Sequence, residues 1–315
     1  MTETAVTESA GPGAASARRR RYLLDRKGVL GPLLLLPAVV YLVAVVGYPL
    51  VLAIMYAFSD VTVGSNRFDL VGFTTFAQAV SDPQFPKVLA NTFIITGVSQ
   101  ALVVVLCTVL AMLLRSRFRG RWFLRFIVLM PWTTPVALGT IIWLWMLDSI
   151  FTPFDWFARG LGVIGPGEHL NMLGHDGLAM GSVIAVQTWR VLPLATIIVL
   201  AGLTSIPHDV HEQAQVDGAG FWRRLFGIEI PLIAPVILVA VLFGIVFTFT
   251  DMTVVFVLTG GGPANATQVL ASLAFYKGIN GGNLSGGAAD ALFMFPVLLI
   301  MAVVTLRWSA RLGAR

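Results

Sequence analysis

The sequence predicts an all-α fold: a polytopic membrane bundle of six transmembrane helices with a short helical segment in a cytoplasmic loop. Three observations predict it. Hydrophobic residues make up 57% of the 315 and mean hydropathy is +0.84. Charged residues are only 12%, about half the ~25% of an ordinary soluble domain. Six apolar stretches are each long enough for a hydrocarbon core of about 30 Å, which takes about 20 helical residues.

The chain opens with a basic tail, 1–27, whose first part is rich in Ala, Gly, Ser, Thr and Glu and is expected to be disordered. Its arginine run, followed by apolar sequence, resembles a secretion signal. The charge-free stretch 28–59, however, far exceeds a signal's apolar region of about 7–15 residues. It reads as an uncleaved first span and the start of a transmembrane domain, 28–315. The expected spans are 31–58, 88–114, 122–147, 178–203, 232–258 and 287–306. Pro49, Pro131, Pro135, Pro193, Pro235 and Pro296 lie in or near them, and kinks are expected there, with neighbouring helices and Ser/Thr hydroxyls satisfying the freed carbonyls.

Basic residues set the sidedness. Sixteen of the 21 fall in the N-terminal tail, between spans two and three (Arg115, Arg117, Arg119, Arg121, Arg125), after span four (Arg223, Arg224) and at the C-terminus. Arg67, Lys87, Arg159 and Lys277 lie on the other side. Both termini and the loop 204–231 are therefore expected in the cytoplasm of a multi-pass cell-membrane protein. The net charge of +5 follows this juxtamembrane pattern, so nucleic acid is not an expected partner. Membrane lipid is. A single cysteine, Cys107, excludes an internal disulfide.

The loop 204–231 is a polar island between spans four and five. Ile206-Pro207-His208-Asp209 opens a helix, with Asp209 a plausible cap. Gly218 permits a turn that other residues resist, 221–230 makes a second short helix, and Pro231 marks the start of span five. With Trp222, Arg223 and Arg224, an amphipathic helix lying in the headgroups fits equally well.

The residues themselves decide further. Glu212-Gln213-Ala214, two residues, Asp217-Gly218-Ala219, eight residues, then Ile228 and Pro231 closely resemble the EAA loop of ABC importer permeases. Gln213 stands where Ala is usual and Ile230 where Leu is usual. The resemblance extends from about residue 29 through Tyr48-Pro49, Val71-Gly72-Phe73, Trp189, Pro193 and Ala201-Gly202-Leu203. Thr259-Gly260-Gly261-Gly262-Pro263 resembles the external loop of the carbohydrate branch, although Ile279 replaces a usual aromatic and an extra Gly-Gly-Asn follows.

This resemblance implies the type I importer permease fold. It implies a coupling helix docking on a cytoplasmic ATPase dimer, with Glu212 and Asp217 as polar contacts or caps. It implies a second, related permease subunit, an extracytoplasmic solute-binding protein, and a small-molecule solute, a di- or oligosaccharide. Glycerol phosphate or a glycerophosphodiester is the alternative, with a stand-alone secondary carrier behind it. No cofactor is expected in this chain: ATP and Mg belong to the ATPase, and Gly260–Pro263 lacks the Lys-Ser/Thr of a phosphate-binding loop. From turn chemistry alone, Gly-Gly-Gly-Pro reads as a flexible surface turn more readily than as a contact for the binding protein.

Arg190 and Asp251 are the ionisable residues noted within spans, about 8 Å apart in depth at about 1.5 Å per residue. A long Arg side chain largely bridges that gap, and charges there face a cavity or each other, so both are expected on the translocation path, as an ion pair or as hydrogen-bonding groups for a polyhydroxylated solute, grouped with Trp189 and Phe249. Trp132, Trp143, Trp145 and Phe247 are further aromatics with faces for sugar rings, although aromatics in spans more often pack or form belts. His208 and His211 lack a third ligand, so no metal site is expected. No nucleophile–base or paired-carboxylate set is placed for catalysis, and no enzyme activity is expected.

Overall fold

The computed structural model describes residues 27–65, 68–116, 118–148, 152–165 and 167–313. The disorder expected of the tail falls outside them. Two compact units are distinguished, divided after Leu52. In the first, α1 (Lys27–Leu42) carries Pro32 and Pro37 and passes through a π-turn, Val43–Gly47, into the first half of α2 (Tyr48–Ala57). Its apolar side chains, Leu33 to Val46 among them, are exposed, as suits contact with lipid or another membrane chain.

In the second unit follow α3 (Thr74–Ser81), α4 (Phe85–Arg115), α5 (Arg121–Thr133), α6 (Val136–Met146), α7 (Pro153–Gly160) and α8 (Asp176–Ser205). Then come α9 (His208–Val216), α10 (Phe221–Arg224), α11 (Ile230–Phe249), α12 (Thr253–Leu258), α13 (Leu270–Phe275), α14 (Leu284–Leu292) and α15 (Met294–Gly313). Among the described residues no β-strand forms; Ser59 and Leu70 make an isolated bridge.

The long helices α4 and α8 are the axis of this unit. On α4, Val103, Cys107 and Ala111 recur every fourth residue and meet Val191, Ala195, Val199 and Leu203 of α8, with Ile233 and Ala240 of α11. Nearer the other end Ile95 joins Val183, Ile184, Val254 and Leu258. Lipid tails are as apolar as these side chains, so pairing rests on close fit and polar contacts. Ser99 Oγ donates to the Ile184 carbonyl at 3.4 Å, and Gln100 Nε2 to Thr248 Oγ1 at 3.3 Å. Gly202 lets α11 approach: a Cβ there would stand 3.1 Å from Val236.

The structure corrects three expected spans. The third is not continuous: α5 and α6 are bent by 105° between Thr133 and Val136. Pro135 forces the preceding Thr134 into an extended conformation (ψ 131°), and the Thr133 and Thr134 hydroxyls both turn back to the Met130 carbonyl. Pro193 and Pro235, by contrast, lie inside unbroken helices. The fifth span ends at Phe249 rather than running to Leu258, and it begins earlier, because helix continues from Phe221 through a π-turn, Leu225–Glu229. Pro231 comes just after the π-turn Leu225–Glu229, so its missing N–H falls beside that wider turn and not at a free helix start. The last span starts at Leu284 and contains Asp290, a buried acid that the sequence reading passed over. Lys277, on the π-turn Tyr276–Asn280, meets it at 3.1 Å, and Asp82 at 3.7 Å.

Helix α14 packs on that π-turn through two glycines. A Cβ on Gly287 would stand 2.5 Å from Gly278 Cα and 2.6 Å from the Ala274 carbonyl oxygen. Backbone cannot give way as a side chain does, so Gly287→Ala is expected to cost about 1–3 kcal/mol. Thermal unfolding in detergent checks this against Gly181→Ala, whose Cβ meets nothing within 4 Å and which should be neutral or slightly stabilising.

Candidate functional site

Two regions gather the residues singled out by sequence. The first is the loop between α8 and α11. Ile206, extended (ψ 123°), and Pro207 end α8 and start α9. Asp209 is not the cap; it lies in the first turn, and Pro207 holds the cap position without a side-chain hydrogen bond. The far end of α9 closes in a Schellman turn: Ala219 N donates to the Ala214 carbonyl at 2.9 Å and Gly218 N to that of Gln215 at 3.1 Å. Gly218 has φ +69°, a conformation that costs any side chain free energy. Ala214 is buried beneath the turn. The spacing Ala-x-x-Asp-Gly-Ala is thus the chemistry of a helix stop.

Neither Glu212 nor Asp217 caps the helix by its side chain. Glu212 pairs with His208 at 3.1 Å and is 65% exposed. With Asp209, Gln213, Val216 and Asp217 it lines an open depression of about 640 Å³ on the outward face of α9. Beside this face Val216 is 87% exposed, and Trp222 and Phe226 stack at 5.8 Å, both exposed. Ile228 is half-buried in the π-turn and Pro231 is exposed.

Sequence reasoning missed Glu229, although a lone acid in the apolar run 225–236 was a signal. Its Oε1 lies 3.0 Å from Arg115 Nη2, 3.4 Å from Arg224 Nε and 3.4 Å from His211 Nδ1, and its side chain is only 3% exposed. Burial holds the His211 imidazole below its ordinary range, and the Arg115 and Arg224 charges add to this against the pull of Glu229. His208 and His211 therefore face different carboxylates rather than a shared ion.

The second region lies at the bend of α5 and α6. Arg190 Nη1 meets Asp251 Oδ1 at 2.9 Å, with the side chains 17% and 7% exposed. Asp251 is not inside a helix. It occupies the break between α11 and α12, where its Oδ2 accepts from Val254 N at 3.1 Å, in the first turn of α12, and from Gln187 Nε2 at 2.8 Å. Arg190 also lines a cleft of about 230 Å³ with Pro131, Trp132, Thr134, Val136 and Phe247. The rings of Trp132 and Phe247 meet edge-to-face at 5.8 Å.

Two residues grouped with this path lie elsewhere. Phe249 is fully buried, edge-on to Phe93. Trp189 packs against Trp143 at 5.8 Å and covers Gly139. Neither Phe249 nor Trp189, nor Trp145, which is 83% exposed, is among the cleft's lining residues.

The turn at Thr259-Gly260-Gly261-Gly262-Pro263 is tied down, contrary to a flexible surface turn. Thr259 and Thr267 hydroxyls meet at 2.7 Å, and Thr267 Oγ1 donates to the Gly262 carbonyl at 2.8 Å. Lys87 and Asn91 of α4 donate to the carbonyls of Ala264 and Asn265. On α7, burial opposes ionisation of Asp155. The Leu170 amide, His169 and Arg159 outweigh it and hold the carboxyl below its usual range.

A broken-helix membrane bundle, with an ion pair at the break and a helical loop projecting from its basic end, is the frame of a transport subunit. The chain belongs to the family described as binding-protein-dependent transport system inner membrane component, whose pattern matches residues 104–311. It is 32% identical to the trehalose/maltose transport system permease protein MalF of Thermococcus litoralis, over 90% of this chain and 94% of that one. It is 29% identical to the sulfoquinovosyl glycerol transport system permease protein SmoG of Agrobacterium fabrum, over 89% and 90% of the two chains. In fold it is similar to a chain of a bacterial ABC transporter importing the acidic polysaccharide alginate. There the TM-score is 0.77 at 20% identity, covering 91% of this chain and 97% of that one.

Removing one partner of a buried ion pair leaves the other uncompensated and costs about 3–5 kcal/mol. Asp251→Ala is expected to destabilise the protein by that amount, and the double change Arg190→Met with Asp251→Leu to recover most of it. Unfolding in detergent of Asp251→Ala and of the double checks this.

Proposed function

We propose that this chain is the permease subunit of a sugar importer: it forms, with a second related permease, the path for a neutral di- or oligosaccharide. Import is driven by ATP hydrolysis in a separate ATPase dimer and fed by an extracytoplasmic binding protein. Both termini and α9 lie on the cytoplasmic side, as the distribution of basic residues requires. The outward face of α9, with Glu212, Gln213 and Asp217, docks on the ATPase. Beyond the Schellman turn at Gly218, helix continues from Phe221 into α11, and displacement of α9 reaches the spans, so that nucleotide state biases two membrane conformations.

The cleft at Arg190 carries the choice of solute. Trp132 and Phe247 supply apolar ring surface for the faces of a pyranose, and Thr134 and Arg190 supply hydroxyl and N–H groups. Asp251 neutralises Arg190, so the cleft's lining residues bear no uncompensated charge. A phosphate or sulfonate would have to compete with Asp251 for the guanidinium. An uncharged polyol needs no such exchange. Relatives are named for trehalose and maltose, for diacetylchitobiose and for sulfoquinovosyl glycerol, and the pairing of Arg190 with Asp251 supports a neutral solute for this chain.

The test is uptake into proteoliposomes containing the full transporter. Trehalose or maltose is expected to be taken up with ATP and glycerol 3-phosphate not; the reverse preference would overturn the choice of solute. Glu212→Ala and Gly218→Val are expected to lower uptake at least ten-fold with the protein still present in the membrane. Uptake that persists with the ATPase omitted would overturn the importer reading.

A further inference from the structure

The coupling helix α9 is poorly anchored by packing. Ala214 is its buried residue, with Val210 and His211 half-covered, and the rest of the helix is exposed. Its chain connections are hinges: the extended Ile206-Pro207 on one side and Gly218 to Gly220 on the other. A helix held only so would tilt when pushed, and motion at its outer face would be lost before reaching α4 and α11.

The Glu229 cluster supplies the missing brace. The π-turn Leu225–Glu229 precedes α11 directly, and Glu229 at its end has a side chain only 3% exposed. One carboxylate oxygen there receives Arg115 from the last turn of α4, Arg224 from α10 and His211 from α9. Four segments meet at one atom. Away from water the contacts of Arg115 and Arg224 with this carboxylate are strong, and the His211 contact adds the tie to α9; an exposed pair such as His208–Glu212 contributes little.

We infer that Glu229 is a positioning residue for transport: its carboxylate ties α9 to the ends of α4 and α11, so that displacement of α9 turns the spans as one body. This rests on the reading of α9 as the ATPase-docking helix. Glu229 itself faces inward, so its loss should leave docking and ATP hydrolysis in place while less solute moves for each ATP consumed.

The experiment compares Glu229→Gln, Glu229→Asp and His211→Leu in the complete transporter, reconstituted with its ATPase and binding protein. Solute imported and phosphate released are measured together. Glu229→Gln is expected to lower the solute-to-ATP ratio at least five-fold, with ATP hydrolysis and recovered complex within two-fold of the unaltered transporter. Glu229→Asp should recover part of the ratio. His211→Leu keeps the Arg115–Glu229 contact and cuts only the link to α9, and should lower the ratio two-fold or more; it decides the matter if Glu229→Gln does not assemble. A ratio unchanged in both Glu229→Gln and His211→Leu overturns the proposal. An unaltered chain that imports solute without any ATPase overturns instead the docking reading beneath it.

Discussion

A charge drawn out of water must find its counter-charge inside the protein, and three such pairings organise this bundle. Arg190 and Asp251 meet at 2.9 Å where α11 gives way to α12. Glu229 gathers Arg115, Arg224 and His211 at the basic end, and Lys277 holds the buried Asp290 at the opposite end. Apolar side chains gain little from leaving lipid for one another. Breaking a buried pair leaves an ion whose desolvation nothing offsets. The pairs therefore set which helix ends stay together, and the apolar faces of α4 and α8 fill in around them.

Each pairing sits where a helix departs from regularity. Asp251 occupies a gap between helices and serves Val254 N at the start of α12 as well as Arg190. Glu229 ends one π-turn and Lys277 lies on another. A wider turn re-aims its residues and leaves backbone groups that polar side chains can satisfy. The bend at Pro135 belongs to the same pattern: it brings Trp132, Thr134 and Val136 around Arg190, and so makes a cleft from what would have been one straight wall.

Much of this was legible before any coordinates. The spans beginning near 31, 88 and 178 follow from hydropathy and length, and the helix stop at Gly218 follows from the turn chemistry of Asp-Gly-Ala. Arg190 and Asp251 announced themselves as charges in apolar sequence. The break at Thr134 was half-visible, since prolines were marked there but a kink cannot be told from a 105° turn by composition. Glu229 and Asp290 were passed over, although each is a lone acid in an apolar run. Phe249 and Trp189 were grouped with the path because rings in spans look alike in sequence, and only their packing against Phe93 and Trp143 tells them apart.

The sequence by itself determined that the chain spans a membrane, that the loop helix stops at Gly218 and which family the chain belongs to. These depend on residue type and spacing along one chain: apolar length against bilayer thickness, a glycine where φ is positive, a proline without an N–H. Tertiary structure alone decided which charges neutralise one another, that Arg190 is answered by Asp251, and that a single carboxylate joins α4, α9, α10 and α11. Partners 61 or 114 residues apart along the chain have no local signature. Their meeting is set by how helices cross and where they break, which is a property of the packed bundle.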